Sequence, residues 1–388
     1  MSTYFNGLRT RGTQLVAVLL GVFIAFPLVA AAQVGGSAVV FLKIEPDSRA
    51  SGMGNAGVAL ADNASAMFWN PAGLAFQTGT EAAITHSAWL PEFNADLFYE
   101  YLIAKHHIPG WGTFGAHLTY LFLGEHEGRD AQNNPTGTFR SYDLATGISY
   151  GTKVSERFGI GTSVRFIYSN LAPGQVVGSQ KTKAGVSTAF DIAGLYRSRK
   201  FGMGETMKGQ LSFGFNLANM GPKIQYSDNA QSDPIPTNLR FGYAFKMEFD
   251  EFNSLTWVTD FNKDLIHYST GDSTKYEADP FYKAIFSSWQ SIKVRTNALA
   301  DDEAQFETLS IIDQLTIGTG VEYWYNNLFA LRAGYFYENP NNGNRKYMTL
   351  GAGVRVNIIG IDFSYIYAEQ NSPLANTMRF SMLVNFEK

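Results

Sequence analysis

Met378, Phe380, Met382, Val384 and Phe386 alternate with Thr377, Arg379, Ser381 and Asn385, and only Leu383 breaks the rhythm. The same period of two runs through Phe158, Ile160, Thr162, Val164, Phe166 and Tyr168. It recurs in Leu239, Phe241, Tyr243, Phe245 and Met247, and in Ile361, Phe363, Tyr365 and Tyr367. Side chains on a strand point to opposite faces in turn, so each run is a strand with one apolar and one polar face. About fourteen such runs follow residue 80, at 81–89, 95–105, 112–122, 139–152, 157–169, 185–197, 208–218, 237–248, 253–263, 315–325, 328–337, 347–357, 360–368 and 377–386. Each is roughly ten residues long, the length a tilted strand needs to cross a bilayer. The pattern predicts an all-β transmembrane barrel of about fourteen antiparallel strands, closed so that no unpaired edge meets lipid.

The connections separate this barrel from a large soluble β-protein. Tight turns ("VSER", "DEFN", "NN", "IG") alternate with long polar ones such as "GEHEGRDAQNNPTG" and "NMGPKIQYSDNAQSDPIP". Outer-membrane barrels have this asymmetry, with short turns on one side and long loops on the other. Composition agrees: charged residues are 16%, while the chain holds 38 Gly, 30 Phe and 20 Tyr. The longest connection, 264–314, carries Phe281, Ile285, Trp289 and Ile292 at helical spacing, flanked by Tyr282 and Phe286. It predicts an amphipathic helix on the outer side.

Residues 1–32 read as a cleaved export signal. Arg9 and Arg11 precede the apolar run "LVAVLLGVFIAFPLV", and small residues at Ala30–Ala32 precede Gln33. Removing them takes the formal charge from −4 to −6, with 28 basic residues against 34 acidic. A mildly acidic exported chain is a poor partner for nucleic acid. The absence of cysteine excludes disulfides, thiolate catalysis and thiolate metal sites.

The bulky set on each strand is expected to face lipid. The other set carries Arg165, Arg240, Arg332, Arg355 and Arg379 with Asp96, Glu100, Asp191, Asp260, Glu322 and Asp362. Facing the lumen, these predict an ion-pair network, since unpaired charges inside a narrow barrel are costly. Tyr99, Tyr101, Tyr323 and Trp324, near strand ends, are expected in the interfacial girdles. His86, His106, His107, His117, His126 and His267 fall in no catalytic or metal-ligand spacing, with His106 and His107 placed in a short turn. No enzyme, cofactor or metal is expected.

Before the first strand, "SRASGMGNAGVALADNASAMFWNPAGL" places Gly52, Gly54 and Gly57 in a G-x-G-x-x-G pattern. A dinucleotide site would need a βαβ unit around it, and only antiparallel patterns follow. A steric reading fits better: the glycines and alanines let backbone pack against backbone, and Asn70-Pro71-Ala72 forms a turn in which the residue before proline is held extended. Such a segment suits a hatch inside the barrel.

This stretch resembles the signature of the PorV/PorQ family, FadL-related outer-membrane barrels of the type IX secretion system. The Asn70-Pro71-Ala72 turn is similar to the FadL hatch motif. The resemblance implies a leader at 1–32, a hatch at 33–80 and a barrel over 81–388. It implies a non-enzymatic shuttle that receives cargo C-terminal signal domains from a large translocon barrel (SprA/Sov type) and delivers them to a surface sortase (PorU type). The contacts expected first are the loop aromatics Trp89, Phe93, Tyr226, Phe281, Tyr282, Phe286 and Trp289. The alternative is a FadL-like channel for hydrophobic small molecules.

Overall fold

A computed structural model describes residues 36–93, 96–129, 134–177, 180–227, 232–270, 276–295, 306–369 and 372–386. The expected leader lies outside them. Fourteen antiparallel strands form a closed ring. They are β1 (Thr80–Ala88), β2 (Phe98–Ile108), β3 (Gly112–Arg129), β4 (Pro135–Lys153), β5 (Phe158–Asn170), β6 (Gly185–Arg197), β7 (Met207–Met220), β8 (Asn238–Glu248), β9 (Asn253–Asp264), β10 (Leu315–Tyr325), β11 (Phe329–Tyr337), β12 (Lys346–Val356), β13 (Ile359–Ala368) and β14 (Met378–Asn385). Every strand pairs with its sequence neighbours, and β14 returns to β1 in register from Asn385↔Glu81 to Arg379↔Ser87. No helix among the described residues is long and apolar enough to cross a membrane.

The alternation sorts by burial as the pattern requires. On β14, Phe380 and Met382 are exposed outward, while Arg379 and Ser381 are buried inward. The short turns cluster at one end, and the long connections at the other. There β3 and β4 continue past a register break between Phe122 and Glu125 as a projecting hairpin.

Two expectations about faces are corrected on β2. Tyr99 and Tyr101 are buried inward, because the hatch gives large apolar residues on this strand something to pack against. Glu100 therefore points outward, where Oε1 lies 2.7 Å from His86 Nδ1, and Asp96 is exposed in the preceding connection. On β10, Tyr323 points outward and donates to Asn253 Oδ1 at 2.5 Å, but Trp324 faces inward beneath Arg332 and Arg355. The girdle at the long-loop end is instead the outward ladder Phe98, Tyr120, Tyr142 and Tyr168, with successive ring centroids 6.0, 5.7 and 6.1 Å apart. His106 and His107 belong to the end of β2 rather than a turn.

The hatch occupies the barrel interior with two short helices, α1 (Ser48–Ser51) and α2 (Ala66–Trp69), and a 3₁₀ turn at Pro71–Phe76. In the long connection, the helix α3 (Phe281–Ser287) is shorter than the spacing predicts. Ile292 lies beyond it, in a two-stranded ribbon of Ile292–Arg295 with Phe306–Leu309.

Candidate functional site: the hatch and its dock

Asn70 caps the turn that the sequence predicts. Its backbone is extended (φ −163°, ψ 98°), Pro71 opens the 3₁₀ helix, and the Asn70 Oδ1 accepts from Ala72 N at 3.0 Å. Its Nδ2 donates to Val58 O inside the hatch (2.8 Å) and to Gly194 O on β6 (3.1 Å). One fully buried side chain thus ties the turn to itself, to the hatch and to the wall. Ala72 is equally buried.

The glycines serve close approach rather than phosphate binding. Gly54 sits at φ +69°, and a Cβ there would fall 2.5 Å from the carbonyl oxygens of Thr319 and Tyr335 on β10 and β11. A Cβ on Gly52 would lie 3.1 Å from the Cα of Gly351 on β12, and one on Gly57 would strike the Trp69 ring at 2.8 Å. The wall answers with glycines of its own: a Cβ on Gly161 would lie 2.2 Å from Ala72 N, and one on Gly214 would lie 2.4 Å from Val58 O.

Polar contacts hold the hatch around the ring. Asp260 Oδ2 on β9 accepts from Gly57 N (2.6 Å) and Val58 N (2.8 Å). Glu81 on β1 accepts from Ala64 N, Ser381 on β14 accepts from Ser48 N, and Thr349 on β12 accepts from Gly54 N. Asn216 on β7 and Arg197 on β6 donate to hatch carbonyls. Within the hatch, Asp47 caps α1 and accepts from Trp69 Nε1 at 2.6 Å; burial pushes its carboxyl above the usual range despite those bonds.

Several lumen charges lie in ion pairs, and one partner is a residue the sequence pattern did not show. Arg49 of the hatch enters the wall network, linking Asp62, Glu322, Arg332, Asp362 and Arg355 into a chain of three cations and three carboxylates. Burial disfavours the Arg49 charge, but the Asp62 and Glu322 carboxylates outweigh it and raise its basicity. The signal for Arg49 in the sequence was faint: one long cation in a run of small residues, off any strand. A second cluster joins Arg165 to Asp191 and Asn219. Arg240 lies over Phe68 at 4.4 Å and Trp69 at 5.3 Å. Arg379 lies 3.9 Å from Glu45 and 6.0 Å from the Trp89 ring.

The seven loop aromatics do not form one surface. Trp89 turns inward over Arg379, and Tyr226 packs on the core cluster and donates to Ser169 Oγ at 2.8 Å. Trp289 is half-buried and donates to Ile285 O. Phe281 stacks edge-on against Phe190. Phe93, Tyr282 and Phe286 are exposed, at 59%, 64% and 79%. Cavities lie on both sides of the hatch, about 220 Å³ at the long-loop mouth beside Lys43 and Asp264, and about 340 Å³ at the short-turn mouth beside Arg49 and Glu322. A third, about 510 Å³, is a groove on the outer wall where Ala82, Ala104 and Ala116 adjoin across β1, β2 and β3. No group of residues that could hold a metal ion occurs among the described residues.

A fourteen-stranded membrane barrel closed by an internally docked N-terminal hatch is the class this architecture defines. The chain belongs to the family described as type IX secretion system protein PorV, whose model matches residues 30–270, well over half its length. Solved structures with similar barrels include the toluene transporter TbuX of Ralstonia pickettii (14% identity, TM-score 0.47, covering 89% of this chain and 99% of that one). Another is the toluene transporter TodX of Pseudomonas putida (11%, 0.49, covering 89% and 100%). A FadL homologue of Pseudomonas aeruginosa is similar at 12% identity and a TM-score of 0.41, covering 88% and 98%. No curated protein matches the chain.

Proposed function

We propose that this barrel works by binding, as a non-enzymatic outer-membrane shuttle of type IX secretion. It takes cargo by the C-terminal signal domain from a large translocon barrel of the SprA/Sov type and delivers it to a surface sortase of the PorU type. The observation that carries this reading is the docking of the hatch. A lumen filled by a segment bonded around the ring is no route for a protein, so the load is held outside it. The long-loop mouth faces the cell exterior in this reading, with Phe93 exposed on its rim. The alanine-floored groove offers the translocon barrel an apolar seat at membrane depth.

A mild-detergent pull-down with mass spectrometry tests the proposal. A giant barrel and secreted cargo should co-purify with the wild type, and Ala104→Phe, which fills the groove, should lose the barrel while still folding. Recovery of bound fatty acids alone would favour a channel for hydrophobic molecules.

A further inference from the structure

We propose that α3 is an interfacial foot, seating Tyr282 and Phe286 in the bilayer leaflet at the long-loop end, beside β6. The inference rests on the membrane-spanning barrel and is independent of the shuttle reading. The helix has two unlike faces. Ala284 is buried and Phe281 and Ile285 are half-buried, whereas Tyr282 and Phe286, four residues apart on the opposite side, are exposed at 64% and 79%. Bulky apolar groups with that much exposure need a partner, and the question is which one.

The position of the helix answers it. Phe281 meets Phe190 edge-on at 5.8 Å between ring centroids, and Phe190 is an outward, exposed residue of β6 between Thr188 and Ile192 on the lipid-facing row. Val186 on that strand pairs with Tyr168, the last member of the aromatic girdle. Phe190 lies four residues further toward the short turns, about 13 Å along the strand at ~3.3 Å per residue. With a strand tilt of roughly 40° this is about 10 Å below the girdle. The helix therefore rests against a wall already immersed in lipid. Its exposed face continues that wall, and a tyrosine beside an exposed lysine, Lys283, is the chemistry of the bilayer interface.

The helix is also held rigidly enough to stay there. Asp279 accepts from Lys283 Nζ (2.7 Å), Ser287 Oγ (2.7 Å) and Ser269 Oγ (3.0 Å), and its Oδ2 lies 2.8 Å from His267 Nδ1. One carboxylate thus ties both ends of the helix to the segment that follows β9.

The chain has no cysteine, so single labels are clean. Nitroxide-labelled Phe286→Cys and Tyr282→Cys would be reconstituted in phosphatidylethanolamine–phosphatidylglycerol vesicles, with Ile192→Cys as the lipid-facing reference and Lys181→Cys as the aqueous one. Collisions with oxygen and with a water-soluble nickel chelate are then measured. The expected result is loss of nickel accessibility to the level of Ile192→Cys, with oxygen accessibility retained. Nickel accessibility equal to that of Lys181→Cys would overturn the proposal. So would shielding from both probes, which would mean that protein covers the face. Either failure would leave cargo pull-down unchanged, so it is distinguishable from failure of the shuttle reading.

Discussion

Arg49 of α1 and Glu322 of β10 meet through two parallel hydrogen bonds, Nε to Oε2 at 2.8 Å and Nη2 to Oε1 at 2.7 Å. Glu322 is 1% exposed and is shared with Arg332, whose Nε lies 2.7 Å away. Glu322→Ala should therefore cost on the order of 3–5 kcal/mol, because it takes a buried carboxylate from two guanidinium groups at once, leaving Arg49 only Asp62 and Arg332 only Asp362. Arg49→Met should cost less, since Glu322 keeps Arg332. The midpoint of denaturant unfolding in vesicles, read as loss of the heat-modifiable band on gels, measures both. Equal losses in the two variants would contradict the shared-carboxylate account.

The hatch glycines give a prediction with a built-in control. Gly54→Val places a branched side chain where φ is +69° and two wall carbonyls stand 2.5 Å from the new Cβ, so folded yield should fall sharply. Gly36→Ala meets nothing within 4 Å and should assemble like the wild type. Asn70→Ala should fall between them. It removes a cap worth ~1 kcal/mol and leaves the buried carbonyls of Val58 and Gly194 short of a donor. If Gly54→Val assembles as well as Gly36→Ala, the close-packing argument is wrong.

These residues also mark how far the sequence could be read. The strand runs and the Asn70-Pro71 turn were legible because a two-residue period and a pre-proline residue obey local rules. What was missed depends on the third dimension. Tyr99 and Tyr101 look like girdle residues until a hatch is placed behind them, and inward packing then inverts the usual sorting on β2. Arg49 carried no strand pattern, so nothing local announced that it completes the Glu322–Arg332–Asp362 chain. The spacing of Phe281, Ile285, Trp289 and Ile292 suggested a longer helix, but α3 stops at Ser287 and Ile292 enters a ribbon.

The Asp279 clasp makes the outer loop acid-sensitive in a defined window. Burial pushes this carboxyl up, but hydrogen bonds from Lys283, His267, Ser287 and Ser269 outweigh it and hold it at about 2. A carboxylate depressed in the folded state stabilises fully above its unfolded value, about 3.9, and that contribution is lost as pH falls through the folded value. Pepsin cleavage within 265–314 should accordingly stay slow near pH 5 and accelerate as pH approaches 2. In Asp279→Asn the loop should be cut faster at pH 5, and this part of the pH dependence should vanish. An unchanged cleavage profile in that variant would remove Asp279 as the clasp.

The long connection also offers the sharpest separation of shuttle from channel. Lys263 at the end of β9 pairs directly with Leu315 at the start of β10, so the whole excursion leaves and re-enters the barrel at one point of the register. Residues 267–312 can therefore be replaced by a short glycine-containing turn without shifting any strand, and closing a shorter loop carries little entropic cost. The truncated barrel should remain heat-modifiable, although Lys43–Asp264 and other contacts at the mouth will loosen. If cargo docks at the long-loop mouth, its release at the cell surface should fall while uptake of a labelled fatty acid is unaffected. Tyr282→Ser with Phe286→Ser, which alters only the lipid-facing side of α3, should leave cargo release intact. Loss of uptake with secretion preserved would instead make the barrel a channel for hydrophobic molecules. If both activities survive truncation, the connection is only a cover, and the cargo surface must be sought at Phe93 and the projecting β3–β4 hairpin.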